Sequence, residues 1–455
     1  MEIDRDRLAV ATDGERKRFH DAHPHTRAVH AEARNLVSGV PMTWMTKWAG
    51  GFPVVFATAS GSLLTDVDGH TYIDFALGDT GAMAGHSPAP TMAAIENRAL
   101  VRGGLTTMLP TEDAGWVGAE LARRFGLPRW SFALTATDAN RWALRLARMV
   151  TGRSKVLAFS YCYHGSVDET FVVCGEDGST QPRAGNVGPA VDVSVTTRAA
   201  EFNDLESVEQ ALSHGDVACV ITEPALTNIG IVLPENGFLN GLRDACDRHG
   251  ALLLIDETHT LSAGPGGMTA TDGLRPDMVV VGKAIAGGVP IGAYGLSADV
   301  AERVDAAATG PGGADMVDVG GVGGTLAGNA LSLAAARATL EDVLTDDAFG
   351  RMGALAERYT AGVQDTIDRH QLPWSVTRLG ARAEYRFCAP APRTGTESAA
   401  AEDEELEEYL HLALLNRGIM ITPFHNMALM CPATSETDVD RHTETFAEVV
   451  AALAG

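Results

Sequence analysis

Lysine is nearly absent from this 455-residue chain: Lys17, Lys47, Lys155 and Lys283 are the only four among 35 basic residues. Against them stand 59 acidic residues, for a formal net charge of −24. Nucleic-acid affinity rests on clustered cations, so a chain this acidic is a poor partner for a phosphate backbone. No apolar run approaches the roughly 20 residues that cross a membrane. Cysteine is sparse too. Cys162, Cys174, Cys219, Cys246, Cys388 and Cys431 are scattered with no Cys-x-x-Cys pair, which argues against a zinc site or a disulfide framework. Residues 1–7 are charged and mixed in sign, unlike a secretory leader. The expectation is a cytoplasmic protein with no metal, no nucleic acid and no membrane among its partners.

What is present is an ordinary globular composition, 45% apolar and 21% charged. At about 150 residues per domain, the length suggests two to three domains. The first forty residues are polar and read as one or two surface helices. Residues 39–48 mix aromatics with turn formers and read as a loop. Alternating runs at 63–66 and 71–75 flank Asp68-Gly69, a hairpin signal.

From about residue 90 to 340, short apolar runs alternate with helix-length amphipathic stretches such as 141–150 and 238–248. The runs are 131–134, 156–159, 218–221, 251–255 and 278–281. This rhythm indicates a parallel sheet covered on both faces. Residues 305–324, dense in Gly, Ala and Asp, read as a mobile loop. Helical stretches are expected at 331–344 and 354–370, and a solvated helix start at 402–408. The expected class is α/β, with a mostly parallel central sheet flanked by helices and a smaller α+β domain built from both termini. The expected division is 1–75 and 341–455 for the smaller domain, and 76–340 for the larger.

In such sheets ligands collect at the carboxyl ends of the strands. After 131–134 comes Thr135-Ala-Thr-Asp138, a capping-box pattern that is either a plain helix cap or a phosphate-binding helix tip. After 156–159, Tyr163-His164-Gly165 is either a stacking platform for a flat ring or a buried tyrosine. Asp256 ends a wholly apolar strand, where a carboxylate needs a partner, structural or functional. Lys283 stands between apolar and glycine-rich segments, either snorkelling to the surface or desolvated into a nucleophile. Taken together, a phosphate cradle, an aromatic, an acid and an amine suit pyridoxal 5′-phosphate.

The order Thr135-Ala-Thr, Tyr163-His-Gly, Glu223-Pro, Asp256-Glu, Lys283 and Gly324-Thr325 resembles the class III (ω-) aminotransferases of fold type I, glutamate-1-semialdehyde aminomutase-like proteins included. The similarity runs from about Gly61 to the C-terminus. The resemblance implies the pyridoxal-phosphate transferase fold, Lys283 as the catalytic Schiff-base lysine, and Asp256 against the pyridinium nitrogen. It further implies Tyr163 stacked on the ring, with Ala136 and Thr137 on the phosphate. Thr325 would reach the phosphate of the other subunit's cofactor, so a homodimer with active sites at its interface is implied. Thr135, His164, Glu223 and Thr258 complete the expected cofactor set.

Three departures stand out. The family's Ser-Gly-Thr-Glu is here Thr135-Ala-Thr-Asp138, and Val after Asp-Glu is here Thr258, followed by His259. Where related β-amino-acid transaminases carry carboxylate-binding arginines, this chain has Met42, Thr43 and Trp44, and Phe424, His425 and Asn426. Arg382 and Arg386 are either substitutes for that clamp or structural ion-pair residues. Trp44, Trp48 and Phe424 suggest a pocket for a bulky or apolar substrate, unless they are ordinary core. The expected activity is amino transfer between an amine or amino acid and a keto acid or aldehyde. The alternative is an aminomutase, racemase or lyase on the same scaffold.

Overall fold

The computed structural model describes residues 3–309, 315–316 and 319–454. Contacts divide the chain into two units. The larger comprises 89–346 and 393–400; the smaller comprises 1–88, 347–392 and 401–455. Residues 76–88 therefore group with the termini, and the short stretch 393–400 groups with the larger unit.

The larger unit is built on a seven-stranded sheet. Its order is Arg129–Ala133, Gly292–Leu296, Met278–Gly282, Leu252–Asp256, Val217–Thr222, Lys155–Phe159 and Thr197–Ala200. Gly292–Leu296 is antiparallel to both neighbours, and the other pairs are parallel. All five apolar runs read from the sequence lie in these strands, apart from a residue or so at an end. Their central members, Val217–Thr222, Leu252–Asp256 and Met278–Gly282, are buried at every residue. That burial explains why they read as continuous rather than alternating. Helix Ala136–Thr151 carries a buried stripe of Ala139, Ala143, Leu144, Leu146 and Ala147, and packs across the sheet.

The expected loop at 305–324 begins later than the composition suggests. Ala298–Thr309 is helical, because Ala306-Ala-Ala308 is a run of the best helix former and extends the preceding turns. Residues 310–314 and 317–318 of that stretch lie outside the described residues.

In the smaller unit the N-terminal stretch forms helices Arg5–Ala22 and Pro24–Glu32, and residues 37–47 form two short 3-10 turns. The hairpin expected around Asp68-Gly69 pairs Leu63–Asp66 with Thr71–Asp74. A core of Phe19, Phe52, Tyr72, Leu412, Leu415 and Met420 joins the first helix, the hairpin and helix Glu404–Leu415. Among the described residues no helix is long and apolar enough to cross a membrane.

Candidate active site

Sheet order brings three chain-distant groups to one corner of the larger unit. Parallel pairing sets Asp256 beside Val280, and the Glu257 N–H donates to the Val280 carbonyl at 2.8 Å. The Val280 strand then closes on Gly282 and Lys283. Gly282 pairs with Gly292, which in turn pairs with Ala133, the last residue of its strand before Thr135. Both glycines are pressed against the tip of helix Ala136–Thr151. A Cβ on Gly282 would stand 3.0 Å from that of Ala136, and a Cβ on Gly292 would collide with the Thr135 carbonyl.

The tip itself follows the capping pattern: the Thr135 hydroxyl accepts from the Asp138 N–H at 3.2 Å. An α-helix leaves its first N–H groups without intrahelical partners, which makes the Ala136–Thr137 end an anion site. The turn carrying Tyr163 and His164 crosses this tip, with the Ser166 N–H donating to the Thr137 hydroxyl at 3.3 Å. Gly165 there has φ +75°, and any side chain on it would strike Thr137. Tyr163 is 37% exposed, its ring edge-on to Phe171 at 6.4 Å.

Asp256 is 3% exposed and accepts from His164 Nδ1 at 2.9 Å, Asn140 Nδ2 at 2.8 Å and the Thr258 N–H at 3.0 Å. Burial pushes its carboxyl up, but these donors prevail and hold it below the usual range. Burial likewise opposes charge on His164, yet Cys162 and Asp256 raise the imidazole well above its ordinary value. The result is a buried, matched pair of charges.

Glu257, one residue on, is different. It is buried among the Met268 N–H at 3.1 Å, the Thr269 hydroxyl at 2.6 Å and the Thr260 hydroxyl, and burial pushes it up. It ties the 257–269 turn together. Glu223 is also pushed up by burial, and it accepts from the Tyr163 N–H at 3.4 Å and from the Thr227 hydroxyl.

Lys283 is half-buried with φ +48°, a left-handed conformation that costs a non-glycine residue of order 1–3 kcal/mol. Its Nζ lies 2.8 Å from His259 Nε2. Three polar atoms beside Asp256 are buried with no hydrogen-bond partner, the Thr258 hydroxyl, Asn140 Oδ1 and His164 Nε2. An amine, an ionised buried acid, unmet polar atoms and an anion-binding helix tip at one strand edge fit the aldehyde, ring nitrogen and phosphate of pyridoxal phosphate.

The structure therefore brings together Thr135, Ala136, Thr137, Tyr163, His164, Glu223, Asp256, Thr258 and Lys283. Thr325 stands exposed on the turn before helix Ala330–Asp342. In the smaller unit Trp44 meets Phe424 edge-on at 5.3 Å, whereas Trp48 packs against the Phe19–Phe52–Tyr72 core. Arg382 and Arg386 are buried in that unit. The first donates to the Thr80 hydroxyl, and the second lies 3.9 Å from Glu407. Two residues escaped sequence reasoning as site members, Asn140 and His259. Asn140 sits in a helix 116 positions before Asp256 and carries no local signal. His259 was visible only as a departure from the family's pattern.

The family described as Aminotransferase class-III matches residues 44–450. A glutamate-1-semialdehyde 2,1-aminomutase of Thermomicrobium roseum is 34% identical over 409 residues, covering 89% of this chain and 92% of that one. A crystal structure of a glutamate-1-semialdehyde aminomutase from Pseudomonas aeruginosa PAO1 superposes with TM-score 0.95 at 49% identity, covering all of both chains. A variant of that Pseudomonas protein was solved in complex with PMP. An ω-transaminase from Sphaerobacter thermophilus superposes with TM-score 0.84 at 27% identity, covering 95% of this chain and 98% of that one. With the corner built around Lys283 and Asp256, these likenesses identify the chain as a pyridoxal-phosphate enzyme of fold type I that belongs to the class III aminotransferases.

Proposed function

We propose that the protein is an aminomutase of the glutamate-1-semialdehyde 2,1-aminomutase kind, shifting an amino group between neighbouring carbons of one amino aldehyde. The observation that carries this reading is the 49% identity, over the whole of both chains, to the Pseudomonas protein of that name. The curated relatives support it at 34% and 32% identity.

When bound, pyridoxal phosphate supplies a ring that draws off the electron pair left on a substrate carbon as its proton departs. Asp256, kept ionised by His164, Asn140 and the Thr258 N–H, is suited to hold a proton on the ring nitrogen. Lys283 offers the amine for the cofactor's aldehyde and then carries a proton to and from the substrate carbon. His259, in reach of Nζ, is suited to take up the ammonium proton that would otherwise block attack. Ala136 and Thr137 offer an N–H and a hydroxyl to the phosphate, and the partly exposed Tyr163 is available to cover the cofactor face. Glu223, pushed toward its neutral form, anchors the Tyr163 backbone.

The working unit in this reading is a homodimer, with Thr325 reaching the other subunit's phosphate. Leu100, Val101, Met108 and Leu109 stand 71–82% exposed on one chain, an apolar surface that a second copy would cover. The six cysteines are free, which suits a reducing cytoplasm.

The ω-transaminase likeness supports a second reading, in which a separate keto acid or aldehyde takes the amino group. The test supplies glutamate 1-semialdehyde as sole substrate. Steady conversion to the isomeric amino ketone without a second carbonyl compound supports the aminomutase. Turnover that requires an added keto acid and releases a carbonyl product identifies a transaminase. Lys283→Ala is expected to lose either activity together with the visible absorption of the lysine-bound cofactor.

A further inference from the structure

Within the smaller unit, two histidines and a carboxylate converge, none of them a member of the site described above. His23 joins helix Arg5–Ala22 to helix Pro24–Glu32, Asp66 ends the first hairpin strand, and His70 precedes the second. Their ligand atoms all lie within 4.8 Å of one another. Asp66 Oδ2 is 3.3 Å from His23 Nε2 and 3.1 Å from His70 Nδ1. Zinc bonds to nitrogen and oxygen of about 2.0–2.1 Å at tetrahedral angles place ligand atoms roughly 3.3 Å apart. The two spacings to Asp66 are those of a tetrahedral edge. We propose that His23, Asp66 and His70 bind one divalent cation of the zinc class, clamping the N-terminal helices to the first hairpin.

The surroundings hold these ligands in place, as the outer shell of a metal site does. His23 Nδ1 lies 2.7 Å from the Phe19 carbonyl, which can only accept, so Nδ1 carries a proton and Nε2 is the nitrogen turned to Asp66. Asp66 Oδ1 accepts from the Asp68 and His70 N–H groups, each at 2.9 Å, leaving Oδ2 turned to the imidazoles. The Tyr72 hydroxyl gives its one proton to Oδ2 at 2.6 Å while standing 2.8 Å from His23 Nε2. His23 Nε2 thus faces two oxygens, and a cation held among Nε2, Asp66 Oδ2 and His70 Nδ1 would be bound by all three ligand atoms. The His23 side chain is 3% exposed and that of Asp66 0%, while that of His70 is 42% exposed, giving an entry path and an open fourth position. A charge of −24 favours any cation. Ligands at 23, 66 and 70 match no metal-binding spacing, and sequence reasoning expected no metal.

The test uses the cofactor-loaded protein, stripped with EDTA, desalted, and titrated with Co²⁺ or Zn²⁺. Expected are one metal per chain by elemental analysis, Co²⁺ ligand-field bands at longer wavelength than the cofactor absorbs, and a Zn²⁺-dependent rise in Tm. His70→Ala, at a half-exposed position, should weaken binding about tenfold or more and lose the bands; His23→Gln should do the same. Substoichiometric metal in the wild type overturns the proposal. Undiminished binding in both variants overturns it too, because the metal then sits elsewhere, the cofactor included.

Discussion

Lys283 Nζ lies 2.8 Å from His259 Nε2, so the one lysine at the sheet's carboxyl edge has an imidazole within hydrogen-bond reach. Proton transfer by a placed histidine is commonly worth a hundredfold or more. His259→Leu is expected to slow capture of added pyridoxal phosphate by the apo-protein about tenfold at neutral pH, with His259→Gln no better. The check is the growth of visible absorption after mixing. Unchanged capture rates in both variants would assign His259 a packing role.

Gly292 predicts a second outcome. A Cβ there meets the Thr135 carbonyl and stands 2.9 Å from the Ala136 nitrogen, both backbone atoms that cannot swing aside. Gly292→Ala should lower stability by about 1–3 kcal/mol and weaken cofactor binding by displacing the helix tip. Thermal unfolding and equilibrium dialysis of pyridoxal phosphate measure the two effects separately.

Glu407 predicts a pH dependence. Burial pushes it up to about 7, against the pull of Arg386. An unfolded glutamate titrates near 4.5, so between 4.5 and 7 the folded chain binds more protons. Stability from this group therefore falls as pH rises through that window, by about 3 kcal/mol in all, and is flat above it. Glu407→Gln should remove this slope and raise Tm at about pH 8 while changing little at about pH 4. Equal Tm differences at both pH values would contradict the assignment.

The two tryptophans near each other in sequence should separate cleanly. Trp48 packs on the Phe19–Phe52 core, so Trp48→Ala should cost about 2–3 kcal/mol. Trp44 is 37% exposed against Phe424, and Trp44→Ala should leave stability within about 0.5 kcal/mol. If Trp44 lines the substrate pocket, KM rises about tenfold in that variant with Tm unchanged.

Much of the larger unit was legible because its signals are local. A strand buried on both faces has to be apolar throughout, and the Thr135 cap announces its helix within four residues. Asp256 and Glu257 show the limit of that legibility. Adjacent carboxylates at a strand end are alike in sequence, yet one is ionised beneath His164 and Asn140 while the other is sealed into a turn.

By itself the sequence determined the alternation of strand and helix, the capped helix tip, and a lysine and an acid each ending an apolar strand. These are written in periodicity and in contacts a few residues long. Tertiary structure alone decided that Asn140 reaches Asp256 across 116 positions, that His259 meets Lys283, and that His23 meets Asp66 and His70. Such meetings depend on sheet order and on where each helix returns, and loop closure over those separations leaves no mark on the residues in between.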